Sequence, residues 1–157
     1  MAKKYWLVKS EPESFSIEDL AKAKNKTTYW DGVRNYQARN FMRDEMKVGD
    51  QVLFYHSNCD PTAVVGYCEV VKEAYPDFTA FDPDDPHYDP KSKKDNPAWM
   101  MVDIKLVEKF SSPVTLEAIK GNSKLQGMRL VQRGNRLSVF PVEKKEFEEI
   151  LRMGSKK

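Results

Sequence analysis

Residues 100–107 constrain the fold more than any other stretch. Met100, Val102, Ile104 and Leu106 alternate with Met101, Asp103, Lys105 and Val107. A period of two sends alternate side chains to opposite faces of a β-strand, so this stretch predicts a strand with one buried face. The segment before it has the opposite character. Residues 76–97 hold five of the nine prolines (76, 83, 86, 90 and 97) and six aspartates, with no hydrophobic period. That composition predicts a long loop, and long loops in compact domains are functional or disordered. Its Phe81–Asp89 portion lacks the turn glycine and terminal glutamate of a calcium-binding loop, and prolines disrupt the spacing. A solvated loop, or a lid over a pocket, fits better.

Other segments supply further elements. Tyr5-Trp6-Leu7-Val8 predicts a first strand, and Gln51–His56 predicts a buried one launched by the Gly49-Asp50 turn. Ala63–Val71 predicts another, with Gly66 marking a bulge or a close backbone approach. Arg136–Phe140 predicts the last strand. Ser16 followed by Asp19 opens a short helix over about 16–23, a hydroxyl and an acid at capping spacing. Asn35 caps a second helix over about 36–46, carrying Phe41, Met42 and Met46. Thr115–Gly121 and Glu143–Met153 predict two more, the latter with Phe147, Ile150 and Leu151 on one face. Helices lie near the chain ends, strands fill the middle, and no βαβ rhythm repeats. An α+β fold with a mixed or antiparallel curled sheet follows, rather than a doubly wound one. With 157 residues, no internal repeat and no linker, the chain 1–157 is expected to form a single domain containing the 76–97 loop.

Lys and Arg number 26 against 24 Asp and Glu, a formal charge of +2. This excludes a histone-like basic tail and an acidic disordered chain. The charge is nevertheless segregated. Residues 118–142 hold Lys120, Lys124, Arg129, Arg133 and Arg136 with no acid, whereas 77–95 hold six Asp against three Lys. A basic run of the first kind attracts phosphate backbones, and Arg129, Arg133 and Arg136 are its candidate phosphate contacts. No apolar run approaches the ~18 residues of a membrane span, and Met1–Lys9 lacks a signal-peptide core. No membrane partner is therefore expected, and the location is the cytoplasm for a bacterial chain or the nucleus for a eukaryotic one. Cys59 and Cys68 make neither a disulfide framework nor a CxxC pair. No P-loop, GxGxxG or HExxH occurs, so no metal and no cofactor is expected.

The densest cluster of site-forming residues is Trp30-Asp31-Gly32-Val33-Arg34-Asn35-Tyr36. Trp offers a flat π face, Asn an amide and Arg a planar fork, the parts that hold a planar heterocycle by stacking and edge hydrogen bonds. The alternative is that Trp30 is core and Asn35 only a helix cap. Tyr55-His56-Ser57-Asn58 closes an apolar strand with polar-tipped side chains, a second candidate wall. An enzyme reading would make His56 a general base with Asp31 or a loop aspartate as its partner, yet no catalytic-triad spacing supports it. A third option is a protein-binding module that uses the acidic loop.

Several strings together resemble the EVE domain, a small PUA-like family. They are Tyr5-Trp6-Leu7 with Lys9-Ser10-Glu11-Pro12, Trp30 to Phe41, Phe54-Tyr55-His56-Ser57-Asn58, Val71 to Asp77, and Leu137-Ser138-Val139 with Pro141-Val142. The resemblance runs from about residue 4 to residue 152. It implies a PUA-like curled mixed β-barrel with helices packed around it, similar to YTH and ASCH domains. It also implies a non-catalytic reader of a modified base in DNA or RNA, with an aromatic-lined pocket for a flipped-out base. By position, the pocket would draw on Lys9, Ser10, Trp30, Val33, Asn35, Tyr55, His56, Ser57 and Leu137. The implied partner is nucleic acid, with no obligate protein partner and no catalytic residue.

Overall fold

The alternation at 100–107 is the first half of a 16-residue strand, Met100–Thr115. The computed structural model describes residues 3–132, 135 and 137–155. Its strands are β1 (Tyr5–Ser10), β2 (Thr27–Tyr29), β3 (Gln51–His56), β4 (Ala63–Pro76), β5 (Met100–Thr115) and β6 (Val139–Val142). Its α-helices are α1 (Ile17–Lys22), α2 (Tyr36–Asp44), α3 (Leu116–Lys120) and α4 (Lys144–Gly154). The strands form one mixed sheet in the order β2-β5-β4-β3-β1-β6. β1 runs parallel to β3, and the other pairs are antiparallel. The α+β expectation is met by an open, curled sheet with helices on both faces.

Pairing between β4 and β5 shifts register at four places, and β3 against β4 at one. Each shift bends the bulged strand and adds twist, which is how the sheet curls. Gly66 sits at two of these shifts. A Cβ there would lie 2.4 Å from the Glu108 carbonyl oxygen, so the close approach expected at Gly66 is real.

Each central strand serves two cores. In β1, Trp6 and Val8 face one cluster while Leu7 faces the other. In β3, Val52 and Phe54 share the first cluster, Leu53 and Tyr55 the second. Burial on both faces explains why these strands read as unbroken apolar runs. Ile17 and Leu20 of α1 and Met42 of α2 cover the first face. Ile119 of α3 with Phe147 and Ile150 of α4 cover the second.

The helix starts follow their caps. Ser16 and Asp19 form the full capping box of α1, and the Asn35 side chain accepts from the Ala38 amide at α2. A buried carboxylate, Asp50, organises the turn before β3. It accepts from the Lys4 amide, the Trp6 indole and the Lys47 amide at 3.0–3.1 Å.

Three features of the sheet depart from what the sequence displays. β2 is not visible in the sequence, because three residues are too few to display alternation; it exists because β5 offers it an edge. β4 and β5 run past the predicted ends at 71 and 107, since the paired arms continue through polar residues such as Lys72 and Glu73. The last strand is Val139–Val142 rather than 136–140, and Arg136 lies outside the described residues. Pro141 is tolerated there because β6 pairs with β1 alone, as an edge strand. Among the described residues no helix is long and apolar enough to cross a membrane.

Candidate functional site

A cavity of about 590 Å³ opens beside the C-terminal end of β1. That volume falls in the range of small-molecule sites, roughly 300–1,000 Å³. β1 contributes Lys9 and Ser10, and the turn after it Glu11, Ser14 and Phe15. β2 and the segment leaving it contribute Thr28 to Val33, and Ser138 and His87 close the wall.

Trp30 is both core and wall. Its amide donates to the Val102 carbonyl at 2.7 Å, which continues the β2–β5 pairing by one residue. Its ring meets Phe54 edge-on at 5.4 Å, leaving 8% of the residue exposed at the cavity. Lys9 is half-buried, and no described carboxylate pairs with it; burial lowers its pKa. The Ser10 hydroxyl donates to the Phe15 carbonyl at 2.6 Å, so its oxygen offers the cavity lone pairs rather than a proton.

The turn after Trp30 is fastened to the long loop. Gly32 adopts φ +77°, and a Cβ there would lie 2.6 Å from His87 Nε2, so only glycine fits beneath that ring. The Gly32 amide donates to Asp77 Oδ2 at 2.8 Å, and Arg34 pairs with the same oxygen at 3.0 Å. Arg34 also donates to the His87 carbonyl at 2.5 and 3.2 Å. Burial pushes the Asp77 carboxyl up, but donors from Thr79, Gly32 and Arg34 outweigh it and hold the carboxyl below its usual range. The Trp99 indole donates to Asp89 at 2.6 Å, and its ring stacks on Tyr36 of α2 at 4.7 Å. The proline-rich loop is thus tied to the cavity wall at several points.

Burial raises the Asp31 carboxyl above its usual range, and nearby His87 offsets only part of that rise. His87 Nδ1 lies 3.5 Å from Asp31 and 3.3 Å from Asp85, hydrogen-bonded to neither. These three residues each bring one potential metal-ligand atom within 4.8 Å of the others.

Of the residues expected at a pocket, Lys9, Ser10, Trp30 and Val33 line this cavity together. Leu137 packs against both cores and precedes Ser138, which lines the cavity. The Ser57 amide donates to the Ser10 carbonyl, which puts Ser57 behind the wall. Asn35 spends its side-chain oxygen on capping α2. His56 Nε2 accepts the Ile17 amide at 3.1 Å, and burial lowers the ring's pKa. Tyr55 points to the opposite face of β3 from Phe54, into the second core, because neighbours in a strand alternate. Arg129 is exposed, with its guanidinium 5.6 Å from the Phe41 ring centroid. Arg133 and Arg136 lie outside the described residues. Sequence reasoning did not place Phe15, Thr28, Tyr29, His87 or Ser138 at the cavity. Of these, only His87 carried a signal, its place in a loop long enough to reach back as a lid.

The EVE domain family model matches residues 4–153. Thymocyte nuclear protein 1 of Homo sapiens is 46% identical over 169 residues, spanning 97% of this chain and 74% of that protein. The structure of human THYN1 in complex with 5-methylcytosine-containing DNA superposes with a TM-score of 0.91 at 45% identity, covering 99% of each chain. The YTH domain of Zygosaccharomyces rouxii MRB1, in complex with N6-methyladenosine RNA, superposes with a TM-score of 0.56 at 11% identity. It covers 99% of this chain and 86% of that one, a likeness of fold alone.

Proposed function

The chain belongs to the EVE domain family, and on that premise we propose that it is a non-catalytic, nucleic-acid-binding reader of a modified base. Residues 1–157 would act as one domain, with the 76–97 loop forming part of its binding wall. The observation that carries the reading is the cavity walled by Trp30, Val33, Ser10 and Lys9. A base rotated out of its stack would enter there, with Trp30 as its aromatic wall and Val33 as an apolar contact. The 5-methylcytosine DNA bound by human THYN1 supports this choice of ligand class. The segment carrying Arg129, Arg133 and Arg136 leads to Ser138 on the cavity wall, which favours phosphate contacts beside the captured base. Asn35, His56, Ser57 and Leu137 would act behind the wall, holding its shape.

An enzyme with His56 as general base is disfavoured. A base needs a free lone pair, and the Nε2 lone pair of His56 takes the Ile17 amide.

Stacking contributes about 1–3 kcal/mol per base. Trp30→Ala should therefore weaken binding of the preferred oligonucleotide by about 10- to 100-fold, and Trp30→Phe by less. Fluorescence anisotropy reads this, with thermal unfolding as the check on folding. If folded Trp30→Ala binds as tightly as the parent chain, the pocket reading is wrong.

A further inference from the structure

We infer that the cavity selects a base carrying an exocyclic amino group, and that Asp31 is the residue that reads it. This rests on the base-pocket reading above and names the chemical class of its ligand.

Several polar side chains of the wall present acceptors, beside the hydroxyls of Ser14, Tyr29 and Ser138 and the ring of His87. The Ser10 hydroxyl gives its proton to the Phe15 carbonyl at 2.6 Å, and the Thr28 hydroxyl gives its own to the Tyr29 carbonyl at 3.3 Å. Both then present only oxygen lone pairs. Glu11, at the rim, is a carboxylate already receiving the Asn58 amide at 3.0 Å. Asp31 lies in the segment joining Trp30 to Val33, both on the same cavity wall. Besides its own backbone amide and His87 Nδ1 at 3.5 Å, no described donor approaches its carboxylate. Lys9 also lines the cavity, but its ammonium lies 5.7 Å from the ring centroid of Phe140, a residue of the second core.

A wall of this kind fits an edge that donates. The 4-amino group of cytosine and the 6-amino group of adenine each offer two N–H bonds beside a ring-nitrogen acceptor, and carboxylates accept from such amines. Thymine and uracil offer a carbonyl at that position. A carbonyl facing a half-buried carboxylate leaves both acceptors without donors, a penalty that discriminates more strongly than a missing contact. The 5-methyl group is the same in 5-methylcytosine and thymine, so Val33 and Trp30 cannot separate these two bases; Asp31 can.

The test uses single-stranded DNA oligonucleotides identical except for one central base: 5-methylcytosine, cytosine or thymine. The parent chain should bind 5-methylcytosine about 5- to 100-fold more tightly than thymine. Asp31→Asn, whose amide can either donate or accept, should bring that ratio close to one while it still favours 5-methylcytosine over cytosine. The parent-chain ratio needs no variant, so a misfolded Asp31→Asn would not shield the inference. Equal binding of thymine and 5-methylcytosine by the parent chain overturns it, as does a folded Asp31→Asn that keeps the parent's ratio. If 5-methylcytosine is still preferred over cytosine in either case, the base-reader proposal survives and only this inference falls. No base preference at all in the parent chain overturns both.

Discussion

His56 owes its role to another segment's backbone. By accepting the Ile17 amide it occupies one of the unpaired donors that open α1. Only the neutral ring can accept, and burial lowers the ring's pKa. An unfolded histidine with an ordinary pKa near 6.5 takes up its proton first. The contribution of His56 is therefore fully present above about pH 6.5 and is lost as pH falls through its lower folded value. Thermal unfolding between pH 7 and pH 5 should show this loss. His56→Gln, which keeps an acceptor but does not titrate, should flatten the dependence. An NMR titration placing His56 at or above 6.5 would contradict the assignment. Asp50 makes a companion case. Asp50→Ala strands three donors at the turn before β3, and even one buried donor left unpaired costs about 1–3 kcal/mol.

At the scale of elements, the segment 31–35 and the long loop form one wall. Asp77 is fully buried, and Arg34 is its charged partner. Arg34→Ala should cost about 1.5–3 kcal/mol, the range for a hydrogen bond to a charged group. It should also raise hydrogen exchange across 77–99 more than in the central strands. Uniform exchange changes across the sheet would show that the loop is not the element held. The sequence revealed elements wherever burial imprints a period. β3 spans Gln51–His56 as read, and each α-helix lies within about two residues of its expected ends. It concealed what depends on distant partners. β2 needs β5 beside it, and the arms of β4 and β5 pair without apolar alternation. His87 reaches Gly32 across 55 positions of sequence, so nothing local marks the seat. At the cavity, Trp30 and Val33 were legible in the cluster of residues 30–36, where aromatic, amide and guanidinium groups stand together, whereas Lys9 and Ser10 were expected only from the resemblance to the EVE domain. Tyr55 stood in the same kind of string, but strand alternation sends it to the other core.

For the whole molecule, a formal charge of +2 hides the basic 118–142 segment and the acidic loop. A chain so close to neutral gains little from general attraction to nucleic acid, so under the proposed function specific affinity would come chiefly from the captured base. Arg129→Ala should weaken all oligonucleotides alike and reduce the dependence of affinity on salt. Removing one cation from a phosphate changes the log–log slope by about 0.7 on a single strand. The most direct test is a comparison of two oligonucleotides that differ only in one 5-methyl group on cytosine, bound by the parent chain at two salt concentrations. The proposal predicts that affinity for both falls with salt while the preference for the methylated one persists at both concentrations. Equal affinities for the two at both salt concentrations would contradict it.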